Sequence, residues 1–502
     1  MDPTRPFSRG DVLTGSVSTE PSPGSGSEPP SRALPMLPSA VPRGAPRSLH
    51  VLSKPTGAIC NLDCTYCFFL SKESLYPGSR FRMGDDLLEQ YIRQVIETQQ
   101  QPYVTIAWQG GEPTLMGLPF FRRALELVER YRRPGMVVEH TIQTNGTLLD
   151  AEWAELFRDH GFLVGLSMDG PPDVHDAQRV DKGGKPTHAK VLRAARLLSE
   201  HGAEYNILCT VHATNAERGR ECYRYFRDEV GARFVQLIPI IERATPELIE
   251  IAEAGWGSHV QGRPLYTQSG SLVTARSITS EQWGRFLIDI FEEWVRRDIG
   301  TVYVQMFDVT LANFVGQPPG LCIYSETCGA AMALEHNGDL YSCDHFVEPA
   351  YKVGNILETH MLELAASPQQ QKFGRDKRDA LPRFCRECDV RFACHGGCPK
   401  DRFISDPYGE PGLSYLCAGY KAFFGHVTRP MQTMGSLLAG GRAPAELMRQ
   451  YAAEDAARGR NDPCSCGSGR KFKRCHGDVA GPAARTAGLA SSQPDDTLKG
   501  RP

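Results

Sequence analysis

The 502-residue sequence predicts an α/β chain: a partial (β/α)6 TIM-like barrel, then a small cysteine-stapled domain and a compact Cys/His tail. Three observations carry this. Short apolar runs alternate with amphipathic runs about six times between Leu49 and Pro239, the pattern of a parallel sheet with helices outside. Right-handed crossovers curl such a sheet into a full or partial barrel. Fourteen of the sixteen cysteines fall in tight groups in a long chain, where a disulfide framework is not expected and metal ligation is.

Taken in order, residues 1–48 are expected to be a disordered tail. The first 50 positions hold ten Pro, nine Ser and five Gly, too little apolar surface to offset the entropy of ordering. Over 49–240 the expected strands are Leu49–Ser53, Tyr103–Trp108, Val137–Gln143, Phe162–Ser167, Tyr205–Val211 and Phe234–Pro239. Between them the helical spacing of apolar residues predicts Asp86–Glu97, Pro119–Tyr131, Ala151–His160, His188–His201 and Ala216–Val230. Residues 241–280 read as an irregular insertion or a substrate-facing loop, and Ser280–Arg297 as a strong helix, within a connecting segment 241–319. Residues 320–425 carry eight cysteines and little apolar core, as in a small metal-stapled domain. A helical linker (426–460, its charged helix at 440–460), a Cys/His motif (461–479) and a second disordered tail (480–502) complete the chain.

Composition excludes little but is consistent. Fifty-six basic and 59 acidic residues leave a formal charge of −3, so nothing points to nucleic acid or an anionic membrane surface. No apolar stretch is long enough for a membrane helix, no secretory h-region opens the chain, and cysteines clustered as metal ligands suit a reduced compartment. A cytoplasmic location is expected.

The first cysteine group is Cys60-x3-Cys64-x2-Cys67, just after the first strand. Three close thiolates can hold three irons of a [4Fe–4S] cubane and leave the fourth open to a chelating ligand. A structural zinc site would want a fourth protein ligand, and none lies nearby in sequence. With Tyr66 before the last cysteine, this motif resembles the signature of radical S-adenosylmethionine (SAM) enzymes. Gln109-Gly110-Gly111-Glu112-Pro113 after the second strand, Thr144-Asn145 after the third, and Ser167-Met168-Asp169-Gly170-Pro171 with Arg179 after the fourth extend the resemblance. It implies that Tyr66, Gln109, Gly110, Gly111, Glu112, Thr144, Asn145, Ser167 and Arg179 contact SAM. Bland alternatives are a strand-end turn for the Gly-Gly-Glu-Pro run and a surface salt bridge for Arg179.

The spacing Cys322-x5-Cys328-x14-Cys343, then Cys385-x2-Cys388-x5-Cys394-x3-Cys398, then Cys417, offers eight ligands, enough for two further [4Fe–4S] clusters or two zinc ions. It resembles the SPASM domain, an auxiliary iron–sulfur cluster domain. The resemblance implies one cluster on Cys322, Cys328, Cys343 and Cys398 and another on Cys385, Cys388, Cys394 and Cys417, three [4Fe–4S] clusters in all. Leu340-Tyr341-Ser342-Cys343-Asp344 is similar to the anaerobic sulfatase-maturating enzymes, and implies that Asp344 is the catalytic base; otherwise it would read as a turn aspartate. Two departures stand out: Phe69 where the family often has Tyr, and His345 where it usually has an aromatic. Near the C-terminus, Cys464, Cys466, Cys475 and His476 supply the four ligands of a closed Zn2+ site and resemble the SEC-C motif, a zinc-binding tail that docks to partners. Cys209 and Cys222 read as buried apolar residues.

The expected activity is oxidation of a Cys or Ser in an unfolded or nascent sulfatase to Cα-formylglycine, with a flavodoxin- or ferredoxin-like electron donor. A SPASM maturase acting on a ribosomally made peptide shares the same cofactor motifs. A non-catalytic iron–sulfur and zinc scaffold would need neither the Gly-Gly-Glu-Pro turn nor Ser167 and Arg179.

Overall fold

The computed structural model describes residues 34–257, 260, 263–466 and 469–477. Contacts divide the chain into Met1–Leu34, nearly all outside those residues, and Pro35–Pro502, the body described here. The disordered tails expected from the sequence therefore lie outside the described residues over 1–33 and 480–502. Residues 35–48 carry no helix or strand, yet they are held against the body. Arg93 donates to the Pro35 carbonyl, Gln100 N to Arg47 O at 3.0 Å and Gln371 Nε2 to Arg43 O at 3.2 Å. There the expectation of disorder gives way, because donors on the body satisfy the segment's carbonyls.

The six expected strands form: β1 (His50–Lys54), β2 (Tyr103–Trp108), β3 (Val137–Thr144), β4 (Phe162–Ser167), β5 (Tyr205–Val211) and β6 (Phe234–Pro239). They pair in parallel in chain order. Val51, Ile106, Val164, Leu166 and Ile207 are fully buried, as strands covered by helices require. Helices Asp85–Thr98, Leu118–Tyr131, Ala151–Asp159 and His188–His201 match their expected places. The fifth does not begin at Ala216 but at Gly219, and it becomes π-helical over Tyr225–Val230. Asn215 Oδ1 accepts from His212 N at 2.8 Å, and Arg218 N donates to Asn215 O at 2.8 Å, which holds this stretch as a turn.

The insertion is more ordered than its sequence suggests. β7 (Arg243–Ala244) and β8 (Leu272–Val273) pair antiparallel around a short helix, Ile249–Ala254. Buried Glu242 braces it, accepting from Trp256 Nε1 at 2.8 Å, Thr274 Oγ1 at 2.9 Å and Arg276 Nε at 3.0 Å.

The largest difference from expectation lies in residues 331–355. β9 (Tyr303–Val304) extends the sheet beyond β6. β10 (Ala331–Glu335) then returns to lie parallel to β1, in register from His50 with Ala331 to Lys54 with Glu335, and β11 (Asp339–Tyr341) and β12 (Lys352–Asn355) continue antiparallel. One ten-stranded sheet results, in the order β12-β11-β10-β1-β2-β3-β4-β5-β6-β9. The cysteine-rich region is thus partly built on the barrel sheet. Met332, Ala333 and Leu334 are fully buried, which explains why an apolar core was not visible in that region alone. The remaining cysteines sit around a small hairpin, β13 (Arg402–Ser405) and β14 (Pro411–Ser414).

Residues 426–460 are not a linker. One helix runs from Cys417 to Ala439, and Tyr420, Phe423, Phe424, Val427, Met431 and Met434 form its buried stripe. It crosses Ser280–Arg297 so closely that a Cβ on Gly419 would stand 2.0 Å from Ser280 O. The charged helix is shorter than expected, Glu446–Ala456. Among the described residues no helix is long and apolar enough to cross a membrane.

Candidate active site

The first three cysteines follow β1 on a loop strapped across the C-terminal end of the sheet. Asp63 N donates to Val180 O at 2.8 Å and Thr65 N to Gln178 O at 3.0 Å, tying the loop to the segment after β4. Gly111 lies against the same loop. A Cβ there would stand 2.0 Å from Ile59 O, and Gly111 N donates to Gly57 O at 2.8 Å. At Gly111 the close approach is to the cysteine loop's own backbone, which makes the turn a brace for the thiols.

Glu112 is fully buried, and its carboxylate is engaged within the protein. Oε1 accepts from Thr114 N at 3.0 Å and Thr144 Oγ1 at 2.8 Å, and Oε2 from Asn145 N at 2.8 Å. It joins the ends of β2 and β3. Asn145 Nδ2 in turn donates to Asn61 Oδ1 at 2.8 Å and approaches Cys60 Sγ at 3.7 Å. Ser167 Oγ accepts from Gln143 Nε2 at 3.0 Å. Gln109 Oε1 is buried with no hydrogen-bond partner among the described residues, as a group awaiting a ligand would be.

Arg179 is buried rather than a surface salt-bridge residue. Its Nε donates to Asp169 Oδ2 at 2.9 Å and Nη2 to Thr210 Oγ1 at 3.2 Å, and its guanidinium lies 5.5 Å from the Tyr66 ring centre. Tyr66 OH donates to the same Asp169 oxygen at 2.8 Å, and His212 Nε2 lies 3.6 Å away. Burial alone would raise the Asp169 pKa, but Arg179 and His212 hold it well below the usual carboxylate range. Asp169, Thr210 and His212 were not singled out from sequence. Asp169 lay inside the Ser-Met-Asp-Gly-Pro motif and could have been.

The sheet brings a second region to this site. Asp344 follows β11 and opens a short 3-10 turn whose N-cap residue is Cys343. It is ion-paired with Lys54 at the end of β1, and the Lys54 ammonium lies 4.0 Å from the centre of the Phe69 ring, two residues past Cys67. The Lys54 side chain is 1% exposed and that of Asp344 20%. Burial opposes the charge on Asp344, and Lys54, together with His345 and Lys72, outweighs it, so the carboxyl stays below its ordinary range and is ionised at neutral pH. Lys54 was missed by sequence reasoning; a lysine closing an apolar strand was the available signal. The insertion walls this region, with Gln268 N donating to Glu348 Oε1 at 2.6 Å and Lys72 Nζ to Tyr266 O at 2.6 Å.

The remaining thiols separate into two groups. Cys322, Cys328, Cys343 and Cys398 line one cavity of about 230 Å3, and Cys385, Cys388, Cys394 and Cys417 line another. Burial pushes Cys398 and Cys394 each up to about 12, aided at Cys398 by the Asp401 carboxylate and Cys322 and at Cys394 by Cys417, Cys385 and Cys388. Burial does the same to Cys64, near Arg179, also to about 12. Thiols so disposed suit iron, which binds thiolate and supplies the missing positive charge. Cys464, Cys466, Cys475 and His476 present ligand atoms all within 4.8 Å of one another, a set that fits tetrahedral zinc. Gly467 and Ser468 of that motif lie outside the described residues. Arg296 fastens the tail to the body, reaching Ser465 Oγ at 3.1 Å and Asp455 at 3.5 Å. Cys209 and Cys222 are fully buried, as expected.

Three family models match the chain. Residues 55–223 match the radical SAM superfamily, 326–389 an iron–sulfur cluster-binding domain of the SPASM type, and 460–478 the SEC-C motif. A serine-type anaerobic sulfatase-maturating enzyme of Bacteroides thetaiotaomicron is 44% identical over 408 residues, 80% of this chain and 95% of that protein. A cysteine-type enzyme of Clostridium perfringens is 32% identical, over 75% of this chain and 95% of its own length. The fold is similar to a solved structure of native anSMEcpe with bound AdoMet, with a TM-score of 0.65, 30% identity and coverage of 77% of this chain and 99% of that one. A further structure of that protein holds the Kp18Cys peptide as well.

Proposed function

The chain belongs to the anaerobic sulfatase-maturating enzymes of the radical SAM family, and from that premise we infer that it oxidises a Ser or Cys of a sulfatase-type polypeptide to Cα-formylglycine. One observation carries the reading furthest. Asp344 adjoins a thiol of one cysteine group and, through Lys54, stands beside the loop that bears another.

Cys60, Cys64 and Cys67 hold one [4Fe–4S] cluster in this reading, and the two four-thiol groups hold one each. Tyr66, Gln109, Gly110, Gly111, Thr144, Asn145, Ser167 and Arg179 form the SAM site, with Glu112 fixing the ends of β2 and β3 around it. Bound there, SAM and its cluster supply the hydrogen-atom acceptor for the substrate Cβ, and the auxiliary clusters supply the electron acceptor. The protein does the rest. Asp344, already ionised, takes the proton of the substrate hydroxyl or thiol. Lys54 keeps that carboxylate charged and in place. The insertion covers the site and keeps water from it. A serine loses one hydrogen atom, one proton and one electron and becomes the aldehyde directly; a cysteine becomes a thioaldehyde that water hydrolyses. Zn2+ on the C-terminal tail, partner docking there, a flavodoxin- or ferredoxin-like donor and a cytoplasmic setting complete the proposal.

The test is anaerobic. Reconstituted protein receives SAM, reductant and matched sulfatase-type Ser and Cys peptides, and peptide mass and 5′-deoxyadenosine are recorded. Loss of two hydrogens from the Ser peptide, or exchange of sulfur for oxygen with that loss in the Cys peptide, is the expected result. Asp344→Asn should still cleave SAM and lose the product. Deoxyadenosine formed with neither peptide altered would overturn the substrate assignment and favour another ribosomal peptide.

A further inference from the structure

Cys394 and Cys398 line different cavities, so His395, Gly396 and Gly397 are the covalent bridge between the two auxiliary thiol groups. All three residues are left-handed, with φ of 47°, 74° and 65°. L residues avoid that region, and His395 occupies it without a glycine's freedom. Arg402, the first residue of β13, gathers the three carbonyls. Its Nε donates to Gly396 O at 2.8 Å, and Nη2 to His395 O at 2.7 Å and Gly397 O at 3.3 Å. No side chain fits at Gly396, where a Cβ would stand 2.6 Å from Arg402 Nη2.

The remaining arm of the guanidinium leads to the other end of the cysteine-rich region. Nη1 donates to Lys377 O at 2.6 Å. Lys377 Nζ donates to Cys322 O at 2.6 Å, Ile323 O at 3.0 Å and the Ser325 carbonyl. Two cations therefore hold the Cys322 loop and the Cys394–Cys398 bridge in a single framework. Burial disfavours the charge on Arg402, and the thiolates of Cys385, Cys398, Cys394 and Cys328, drawn from both groups, oppose that penalty.

We propose that Arg402 is the positioning residue for the two auxiliary clusters: it fixes their separation and places positive charge between them, poising both to accept an electron, while Lys377 adds charge beside the Cys322 group alone. This rests on the assignment of the eight thiols to two clusters, and it deepens that assignment. A fixed cation beside a cluster favours its reduced, more negative state and so raises its potential.

The experiment needs no peptide substrate, so its outcome is separable from that of the formylglycine test. Holoenzyme is titrated with reductant under EPR detection, and iron is counted. In Arg402→Gln both auxiliary clusters should fall in potential, while the Cys60–Cys64–Cys67 cluster is unmoved. Unmoved auxiliary potentials at full iron content, or a shift of only one of them, overturn the proposal. Arg402→Lys keeps the charge and loses the fork. It should alter the magnetic coupling between the auxiliary clusters while leaving their potentials near those of the parent, and unaltered coupling refutes the positioning role. If Arg402→Gln cannot take up iron, Lys377→Met carries the charge test. It touches only the Cys322 loop, so the potential of that cluster alone should fall; no shift overturns the proposal.

Discussion

Replacing Lys54 by Met isolates the ion pair on which the proposed chemistry depends. Met keeps the apolar stem over Phe69 and removes the only group ion-paired with Asp344 among the described residues. Breaking a buried pair by removing one partner typically costs 3–5 kcal/mol; Asp344 is one-fifth exposed and can take up a proton, so about 2–3 kcal/mol is expected here. The sign with pH follows from the direction of the shift. Lys54 depresses the Asp344 pKa in the folded protein, so its contribution is present above the unfolded value of about 4 and is lost as pH falls through the folded one. Without Lys54 the largest charge opposing burial is gone, so the folded pKa rises and protonation sets in at higher pH. The assay measures formylglycine and 5′-deoxyadenosine in parallel across a pH series in reconstituted enzyme. Lys54→Met should cleave SAM at near the parent rate but give much less formylglycine per deoxyadenosine, with the ratio recovering as pH is raised. A ratio equal to the parent's at every pH would refute Lys54 as the group that keeps the base charged.

Three other outcomes follow from the geometry. Gly111→Ala drives a methyl into Ile59 O, so it should cost about 2–3 kcal/mol and lower the iron held by Cys60, Cys64 and Cys67, read by iron analysis and thermal unfolding. Arg179→Met strands the fully buried Asp169 and should destabilise the protein by about 3–5 kcal/mol in denaturant unfolding at neutral pH. The Asp169 pKa is depressed in the folded state, so the parent's advantage should shrink as pH falls below about 4, and a pH-independent difference would contradict the pairing. On the proposed zinc site, chelation or Cys464→Ser should release the tail to proteolysis around Arg458 while SAM cleavage continues, because Arg296, which holds the tail at Ser465, belongs to the helix Ser280–Arg297 and not to a strand end.

Much of the site was legible because its chemistry is local in the chain. Cys60, Cys64 and Cys67 lie close together in sequence, so spacing alone shows them as one thiol group. The strand-end motifs follow from the alternation of strands and helices, which puts every such turn at the same end of the sheet. The roles of particular residues were less legible. The sequence places Gly111 and Glu112 in a strand-end turn; the structure adds that the first packs on the cysteine loop and the second is bonded to Thr114, Thr144 and Asn145. Local spacing identifies where a turn lies, but not which neighbour presses on it.

The amino-acid order by itself determined the parallel strand–helix repeat, the ligand clusters and the tail motif, since each depends on periodicity or spacing within a few tens of residues. The long helix from Cys417 was hidden by the expectation that cysteines mark a core-poor domain. Only the tertiary structure decided three further matters. It laid β10 beside β1, which brings Asp344 to Lys54 across nearly 300 residues of chain. It sorted eight cysteines into two interleaved groups of four, so that Cys398 joins Cys322 and Cys417 joins Cys385. It gathered the carbonyls between Cys394 and Cys398 onto Arg402. These are contacts between segments remote in sequence, chosen by burial and by the pairing of buried charge, and no local pattern encodes which distant partner satisfies either.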